Sequence, residues 1–398
     1  MSTVLDSDLR RDEGVIATTR EPYSRLIEAL SQTRVLHIGK FFPPHVGGME
    51  THLQVLCEEL KRVLHVEVIV ANDDRKTSVE IIDDVRVTRV GTVLNFAAAP
   101  VCPGMVRMIR QSDADIVHLH LPNPTAILTY LASRHRGRLI VTYHSDIIRQ
   151  KVLGTAFWPF LRHALEKAHA IIATSPNYIE TSDVLRKFRD KCCVIPLGIP
   201  YKQFQQTDTE AVATIRERYG SRIVLGVGRL VYYKGFEYLI RAMKDVSGHL
   251  LIVGDGPLRH ELKRRVQELG LAQRVTIVTD AKDLRPFYQA ADVFALSSIA
   301  RSEAFGIVQL EAMACGVPVV NTALDSGVTF VSNHGLTGLT VPPEDATALG
   351  NAINALLDDS ALRAKMGAAG RQRVERDFSL EAMTRKTLEM YSETLGVS

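Results

Sequence analysis

The sequence lacks any long apolar run. None of its hydrophobic stretches approaches the roughly 20 consecutive residues that a membrane-spanning helix needs, although hydrophobic residues fill 46% of the 398 positions. Residues 1–30 carry scattered charges instead of the apolar segment of a secretory signal peptide. We therefore expect a protein that works in the cytoplasm or at the inner face of the cell membrane.

Cysteine is scarce and charge is balanced. The five cysteines include no C-x-x-C pair and no spacing typical of zinc ligands, which favours a reduced setting over a disulfide-bonded one. The 48 lysines and arginines face 45 acidic residues, for a net charge of +3. Because a dedicated nucleic-acid binder carries a basic stripe, we expect no nucleic acid among the partners.

Short apolar runs alternate with helical patterns along the chain. The runs are RVLHIG, VEVIVA, ADIVHLH, RLIVTYH, AIIATS and CCVIPLG, then RIVLGVG, HLLIVGDG, RVTIVTD, VFALSS and VPVVNT. This alternation indicates α/β architecture with parallel sheets covered on both faces. Proline, glycine and polar residues interrupt the series at 196–204. We predict two doubly wound domains, 1–200 with an extension at 1–30 and 201–378, followed by a C-terminal helix within 379–398.

Residues 302–320, SEAFGIVQLEAMACGVPVV, are the most informative stretch. A helix-compatible run follows a glycine-containing loop and ends at Gly316 and Pro318, so we expect a helix that starts near Phe305. The first N–H groups of a helix have no intrahelical partner and can hold a phosphate group. The stretch therefore predicts a site for a diphosphate.

Two glutamates flank this helix start. Glu303 precedes it, and Glu311 is expected about two turns inside the helix. At a rise of about 1.5 Å per residue they would lie about 12 Å apart, which is similar to the reach from a sugar across a diphosphate to a ribose. We interpret the pair as contacts to the two ends of a sugar nucleotide.

Two cations follow the strand RIVLGVG. Arg229 and Lys234 come directly after its carboxyl end, where they would neutralise the charge of a departing diphosphate. A dinucleotide-binding fingerprint is a poor alternative, because Gly226 and Gly228 lack the third glycine of that motif.

Further candidates follow strands of the first domain. Gly47 and Gly48 permit a close approach of backbone to ligand, and His144 and Asp146 follow RLIVTYH. His118 and His120 share one sheet face by the period of two. No third ligand follows at a suitable spacing, so we interpret these two histidines as cleft-lining or packing residues.

The acidic pair Asp113 and Asp115 imitates a divalent-ion motif. We discount it because it precedes its strand instead of following it, and because Arg229 and Lys234 already provide charge for a diphosphate. We expect no metal and no cofactor.

Taken in order, these motifs resemble the family 4 retaining glycosyltransferases. FFPPHVGGME, IVHLH, VTYHSD, VGRLVYYKG, VGDGP and the Glu, seven residues, Glu pattern occur in the order of that family, from about Arg34 to the C-terminal helix. The resemblance implies the GT-B fold, in which two Rossmann-like domains face a cleft and the C-terminal helix packs back on the first domain.

The resemblance also implies site residues. Glu303 and His144 would be catalytic, and Asp146 would contact the acceptor. The donor nucleoside-diphosphate sugar would be bound by Gly47, Gly48, Arg229, Lys234, Phe305, Gly306, Ile307, Val308 and Glu311.

The substrates are predicted by likeness to bacterial mannosyl- and rhamnosyltransferases of surface polysaccharide assembly. This likeness implies a GDP-sugar donor and a glycan or polyprenyl-linked acceptor. A UDP-sugar-dependent transferase, a sugar-nucleotide epimerase of the same fold and an inactive binding subunit stay open as alternatives. The basic and aromatic segment 148–163 fits either contact with an anionic membrane surface or an ordinary helix on the sheet.

Overall fold

The computed structural model describes residues 23–45, 47–96, 99–146 and 151–397, without the side chains of 151–156. The chain divides into two compact units. The first comprises the described residues up to Ala173, Phe188–Ile195 and the chain from Met383 onward. The second comprises Thr174–Lys187 and Pro196–Ala382. The predicted domain boundaries near residues 200 and 378 stay predictions.

The described residues of the first unit form ten strands. They are β1 (Arg34–Ile38), β2 (His65–Ala71), β3 (Ser78–Ile82), β4 (Val85–Val90), β5 (Leu94–Phe96), β6 (Ala99–Val101), β7 (Ile116–Leu121), β8 (Arg138–Tyr143), β9 (Ala170–Ala173) and β10 (Cys192–Val194). Eight of them form one sheet in the order β10-β9-β8-β7-β1-β2-β4-β3, while β5 and β6 pair separately. Strand β7 is buried along its whole length, as its continuous apolar run predicts for a parallel sheet covered on both faces.

One edge of this sheet departs from the all-parallel expectation. Strand β3 pairs antiparallel with β4, through a two-residue turn in which Asp83 and Asp84 have φ of 46° and 58°. Positive φ at both central positions is the geometry of a tight hairpin turn. The prediction missed the hairpin because β3 is largely exposed and shows no buried face.

The second unit is a doubly wound sheet of six strands. They are β11 (Ile223–Val227), β12 (His249–Val253), β13 (Val275–Val278), β14 (Val293–Leu296), β15 (Val319–Thr322) and β16 (Gly338–Val341). The order is β13-β12-β11-β14-β15-β16, and every described pairing in the sheet is parallel. This is the Rossmann order, which reverses direction between its first and fourth strands. Loops after β11 and β14 therefore meet at the point where such sheets bind ligands.

Helices connect the strands. They are residues 23–30, Gly48–Leu60, Gly104–Gln111, Pro124–Ser133, Lys151–Lys167, Pro176–Thr181, Tyr201–Gln205, Thr209–Tyr219, Phe236–Ala242, Arg259–Glu268, Arg285–Ala290, Val308–Ala314, Val328–Val331, Ala346–Asp358, Ser360–Asp377 and Leu380–Leu395, with 3-10 turns at Leu185–Lys191 and Tyr232–Lys234. Asp208, Asp345 and Asp359 each accept a hydrogen bond from the backbone N–H three residues on. Such caps fix where a helix begins.

Gly367 shows how tightly the second unit is packed. It lies within the helix Ser360–Asp377, where glycine ordinarily costs about 0.5–1 kcal/mol relative to alanine. A Cβ at this position would lie 2.0 Å from the backbone oxygen of Gly316. The contact atom belongs to the backbone, so it cannot rotate away.

We therefore expect Gly367→Ala to lower the free energy of unfolding by about 3 kcal/mol, although helix propensity alone would raise it. Urea unfolding followed by circular dichroism measures the change. Ala368→Gly, at the next and exposed position of the same helix, is the control and should cost about 1 kcal/mol. Unchanged or increased stability of Gly367→Ala would contradict the close packing.

Candidate active site

Two loops of the second unit are locked together at the carboxyl ends of β11 and β14. Ser297 Oγ donates to the carbonyl of Lys234 at 2.9 Å, and the N–H of Ile299 donates to the carbonyl of Tyr233 at 2.8 Å. Gly235 has φ of +61°, and a Cβ there would lie 2.1 Å from the Ser297 carbonyl oxygen. Only glycine fits this approach. The two loops thus hold their side chains in fixed relative positions.

The locked loops bring Lys234 and Glu303 into contact. Lys234 Nζ lies 2.6 Å from Glu303 Oε2, and each residue is only 8% exposed. Ser298 Oγ donates to the same carboxylate at 2.9 Å. Removing one partner of a buried ion pair costs about 3–5 kcal/mol because the other charge stays unpaired. The pair is therefore a strongly held charge site at the reversal point of the sheet.

Arg229, the second predicted cation, lies directly after β11 and is exposed. Both Arg229 and Lys234 act electrostatically on the Tyr233 hydroxyl, although burial is the main cause that raises the pKa of Tyr233. The structure thus places one buried and one exposed cation around the end of this strand.

The helix after Glu303 starts later than the sequence predicts. It spans Val308–Ala314, so Glu311 lies in its first turn and not two turns inside. Gly306 has φ of +74°, a left-handed conformation that a right-handed helix does not contain. The rise of 1.5 Å per residue therefore does not apply between Glu303 and Glu311, and the predicted 12 Å spacing has no basis in this backbone.

Gly306 shapes the loop in front of this helix. Within the described residues, no backbone carbonyl accepts from the N–H groups of Gly306, Ile307 or Val308. The Phe305 side chain is buried in the core of the second unit. Gln309 Nε2 donates to the Phe305 carbonyl at 3.3 Å, which ties the loop to the helix. The loop therefore offers backbone N–H groups, and not the Phe305 ring, to a ligand.

Glu311 has a buried partner that the sequence did not reveal. Tyr288 Oη donates to Glu311 Oε2 at 2.5 Å. Burial raises the pKa of Glu311, against the opposing effects of Tyr288 and Lys234. The hydrogen bond fixes one carboxylate oxygen in place, which suits a group that accepts hydrogen bonds from hydroxyls.

The glycine pair of the first unit precedes the helix Gly48–Leu60. Gly47 is its N-cap in extended conformation, and a Cβ there would lie 2.3 Å from Glu50 Oε2 at the end of a flexible side chain. A Cβ on Gly48 would meet no atom of the described residues within 4 Å. The space beside Gly48 is therefore open to an approaching group.

His144 belongs to a cluster of five buried histidines. The members are His37, His52, His118, His120 and His144. Burial lowers the pKa of every member, to about 3 for His37 and about 4 for His52. The imidazoles are therefore neutral at physiological pH, and each presents one donor and one acceptor nitrogen.

His118 and His120 have further histidines close to them in space that sequence spacing did not indicate. Two groups of three histidines bring their ring nitrogens within 4.8 Å of one another, His37 with the pair and His52 with His120 and His144. The additional members come from β1, from the helix Gly48–Leu60 and from the end of β8. Sequence spacing could not reveal them, because separate elements supply them.

The acidic candidates of the first unit have local partners. Tyr143 Oη donates to Asp146 Oδ1 at 2.9 Å. Asp115 Oδ2 accepts from the N–H of Arg34 at 2.9 Å, and Asp113 forms an ion pair with the same arginine. Asp113 and Asp115 therefore bind the start of β1, at the edge opposite to the carboxyl ends of the strands.

The segment 148–163 is described only in part. Residues 148–150 and the side chains of 151–156 lie outside the described residues, and the backbone of Lys151–Lys167 is helical. Among the helices that the structure describes, none is both long enough and apolar enough to cross a membrane.

Known proteins match nearly the whole chain. The family described as Glycosyltransferase Family 4 matches residues 46–203, and Glycosyl transferases group 1 matches residues 208–373. The O-antigen chain mannosyltransferase C of Escherichia coli is 32% identical over 91% of this chain and 99% of its own length. The chain belongs to glycosyltransferase family 4. The D-rhamnosyltransferase WbpZ of Pseudomonas aeruginosa is 33% identical over 87% of this chain and 92% of its own length.

Solved structures agree with this assignment. Sucrose-phosphate synthase of Thermosynechococcus elongatus has a TM-score of 0.77 and 26% identity, over 92% of this chain and all of that one. Anabaena HepE in complex with UDP-glucose has a TM-score of 0.75 at 20% identity, over 90% of this chain and 99% of that one, which shows the fold. The predicted GT-B fold and the likeness to mannosyl- and rhamnosyltransferases are confirmed. The protein is a glycosyltransferase.

The histidine cluster makes the protein sensitive to acid. Each member binds a proton more weakly in the folded chain than in the unfolded chain, where the histidine pKa is about 6.5. The unfolded state therefore takes up more protons below pH 6.5. The stability that the neutral histidines contribute is therefore fully present above that pH, and it is lost as the pH falls toward 4.

The free energy of unfolding should fall between pH 7 and pH 5 in the unaltered protein and in His52→Gln. We expect the fall to be about 1–2 kcal/mol smaller in His52→Gln than in the unaltered protein, measured by urea unfolding in chelator-treated buffer. The control is His260→Gln at an exposed position of the second unit, which should follow the unaltered protein. Identical pH dependence in His52→Gln would show that His52 does not stay neutral in the folded chain.

Proposed function

We propose that the protein transfers a hexose from a nucleoside-diphosphate sugar to a hydroxyl group, with retention of anomeric configuration. The observation that carries the proposal is the buried pair of Lys234 and Glu303, 2.6 Å apart at the reversal point of a Rossmann-ordered sheet. Ligands of such sheets bind beyond the carboxyl ends of the strands at this point. A cation and an acceptor carboxylate held side by side suit a diphosphate and a sugar.

The leaving diphosphate would be bound by Lys234, Arg229 and the N–H groups of residues 306–308. Cations and backbone donors aimed at developing negative charge lower the barrier for its departure. When the phosphate draws Lys234, the Glu303 carboxylate becomes available to accept hydrogen bonds from sugar hydroxyls. Glu311, fixed by Tyr288, would accept from the ribose hydroxyls.

Retention would follow from attack on the face that the diphosphate leaves. With Lys234 drawn to the phosphate, Glu303 would keep its hydrogen bond from Ser298 Oγ and would accept from sugar hydroxyls, an arrangement that orients a carboxylate and does not present it as a nucleophile. The leaving phosphate oxygen would then receive the proton of the acceptor hydroxyl as the new glycosidic bond forms. Charge balances without a covalent intermediate on the enzyme.

The donor we favour is a GDP-sugar of mannose or a deoxyhexose. A further relative of this chain, from Mycolicibacterium smegmatis, is a GDP-mannose-dependent phosphatidylinositol monomannoside mannosyltransferase, 32% identical over 83% of this chain and 91% of its own length. A UDP-sugar is the second candidate, because HepE of the same fold binds UDP-glucose. The acceptor would be a glycan or polyprenyl-linked glycan of cell-surface polysaccharide or glycolipid synthesis, reached at the inner face of the membrane.

In the first unit, His144 would contact the donor sugar and Asp146 the acceptor. No atom of the part of the chain that the structure describes would lie within 4 Å of a Cβ on Gly48, so its backbone would approach a phosphate or an acceptor closely.

Differential stabilisation by nucleotides identifies the donor base. A ligand that binds only the folded state raises stability by about 2.7 kcal/mol at 100 times its Kd. We expect GDP to raise the melting temperature more than UDP or ADP at equal concentration, in a thermal-shift screen. A larger shift with UDP would overturn the GDP assignment and select the second candidate.

Glu303→Gln tests the assigned role of the carboxylate. We expect kcat for transfer from the donor to a panel of alkyl-linked sugars to fall about 10²–10³-fold, with the nucleotide-induced melting shift retained. The product of the unaltered enzyme should keep the anomeric configuration of the donor in proton NMR. Glu217→Gln, on an exposed face of the helix Thr209–Tyr219, is the control. Unchanged kcat of Glu303→Gln, or a product of the unaltered enzyme with inverted anomeric configuration, would contradict the proposal.

A further inference from the structure

The histidine cluster of the first unit contains more imidazoles than a donor-sugar contact requires. His37 lies on β1, His118 and His120 lie on β7, His144 follows β8, and His52 lies on the helix Gly48–Leu60. Four elements thus converge on one buried volume. Within the described chain, both groups of potential metal ligands consist of histidines alone.

We propose that His52, His120 and His144 bind a divalent transition-metal ion, for which Zn²⁺ is the best fit. Three imidazole nitrogens with an open fourth position are a common zinc ligand set. The proposal goes beyond the transfer reaction. It shares His144 with the donor-sugar contact proposed above, but metal binding is measured without transferase activity, so either proposal can fail while the other holds.

Distances separate metal ligation from simple hydrogen bonding. His120 Nδ1 lies 3.4 Å from His144 Nε2, which is long for a hydrogen bond between imidazoles. Two nitrogens that each lie about 2.05 Å from a tetrahedral zinc ion are about 3.3 Å apart. The nitrogen of His52 lies within 4.8 Å of both, which a small rotation of its ring can close.

The alternative group around His118 is disfavoured because both nitrogens of that ring already have hydroxyl partners. Nδ1 lies 2.7 Å from Tyr391 Oη, and Nε2 lies 2.7 Å from Thr142 Oγ1. Ligation by His118 would remove one of these hydrogen bonds. His52 has no such competing bond among the described side chains.

His37 supplies the support that metal-binding histidines usually have. With Nδ1 on the metal, His120 donates its Nε2–H to His37 Nδ1, which lies 3.0 Å away. A ligating histidine that donates its other N–H to an acceptor is held in one tautomer and orientation. The same assignment puts a hydrogen on His37 Nε2, a buried atom without a hydrogen-bond partner in the described structure.

The exposure of the rings also suits a metal that enters from solvent. His52 and His144 keep 8% and 7% of their surface exposed, whereas His37 and His118 keep none. The proposed ligands therefore include the two members of the cluster that solvent reaches most readily.

Metal analysis of the tag-free full chain tests the site. After chelator treatment and titration with Zn²⁺, we expect one ion per chain by plasma mass spectrometry. Titration with Co²⁺ should give the intense visible absorption of four-coordinate cobalt. Less than one tenth of an equivalent of zinc, or only the weak spectrum of six-coordinate cobalt, would overturn the site and leave a hydrogen-bonded imidazole chain in its place.

Variants distinguish the two histidine groups. We expect His52→Gln and His144→Gln to weaken Zn²⁺ affinity more than about 100-fold, and His37→Gln about 10-fold. His118→Gln and the surface control His260→Gln should stay within threefold. Equal losses in His52→Gln and His118→Gln, or no loss in His52→Gln, would overturn the assignment. The cobalt spectrum of the unaltered protein decides the matter if a variant does not fold.

Discussion

The ion pair between Lys234 and Glu303 is the interaction on which the second unit depends. Two opposite charges that are 8% exposed and 2.6 Å apart can persist only if the backbone holds them together, because either charge alone would be costly to bury. The sheet order places their loops side by side, Gly235 permits the contact between the loops, and Ser298 fixes the carboxylate. Much of the local architecture after β11 and β14 serves to position this pair.

The buried polar centre of the first unit differs from that of the second unit in its charge. Its polar centre consists of imidazoles that burial keeps neutral, so it holds lone pairs and N–H groups and no fixed charge. Such a centre can accept a cation or orient a hydroxyl without a compensating carboxylate. One unit thus holds a pair of preset charges, and the other holds a neutral set of nitrogen atoms.

Much of the fold could be predicted from the sequence because strands of a buried parallel sheet have nearly continuous apolar sequences. The candidates Arg229 and Lys234 could also be predicted from the sequence, since they lie in the loop after such a run. Glu303 could be predicted because it precedes a helical pattern. The late helix start could not be predicted, because it depends on the positive φ of Gly306. The partnership of Tyr288 with Glu311 and the convergence of five histidines depend on tertiary contacts between residues far apart in the chain, for which spacing gives no signal.

Calorimetric titration of the preferred nucleoside diphosphate and of its sugar form, in the unaltered protein, Lys234→Met and Glu303→Gln, tests the division of labour within the pair most directly. The account predicts that Lys234→Met weakens both ligands by a similar factor, of order tenfold. Glu303→Gln should weaken the sugar nucleotide while the diphosphate keeps its affinity. Equal effects of Glu303→Gln on both ligands, or wild-type affinity for the diphosphate in Lys234→Met, would contradict the account.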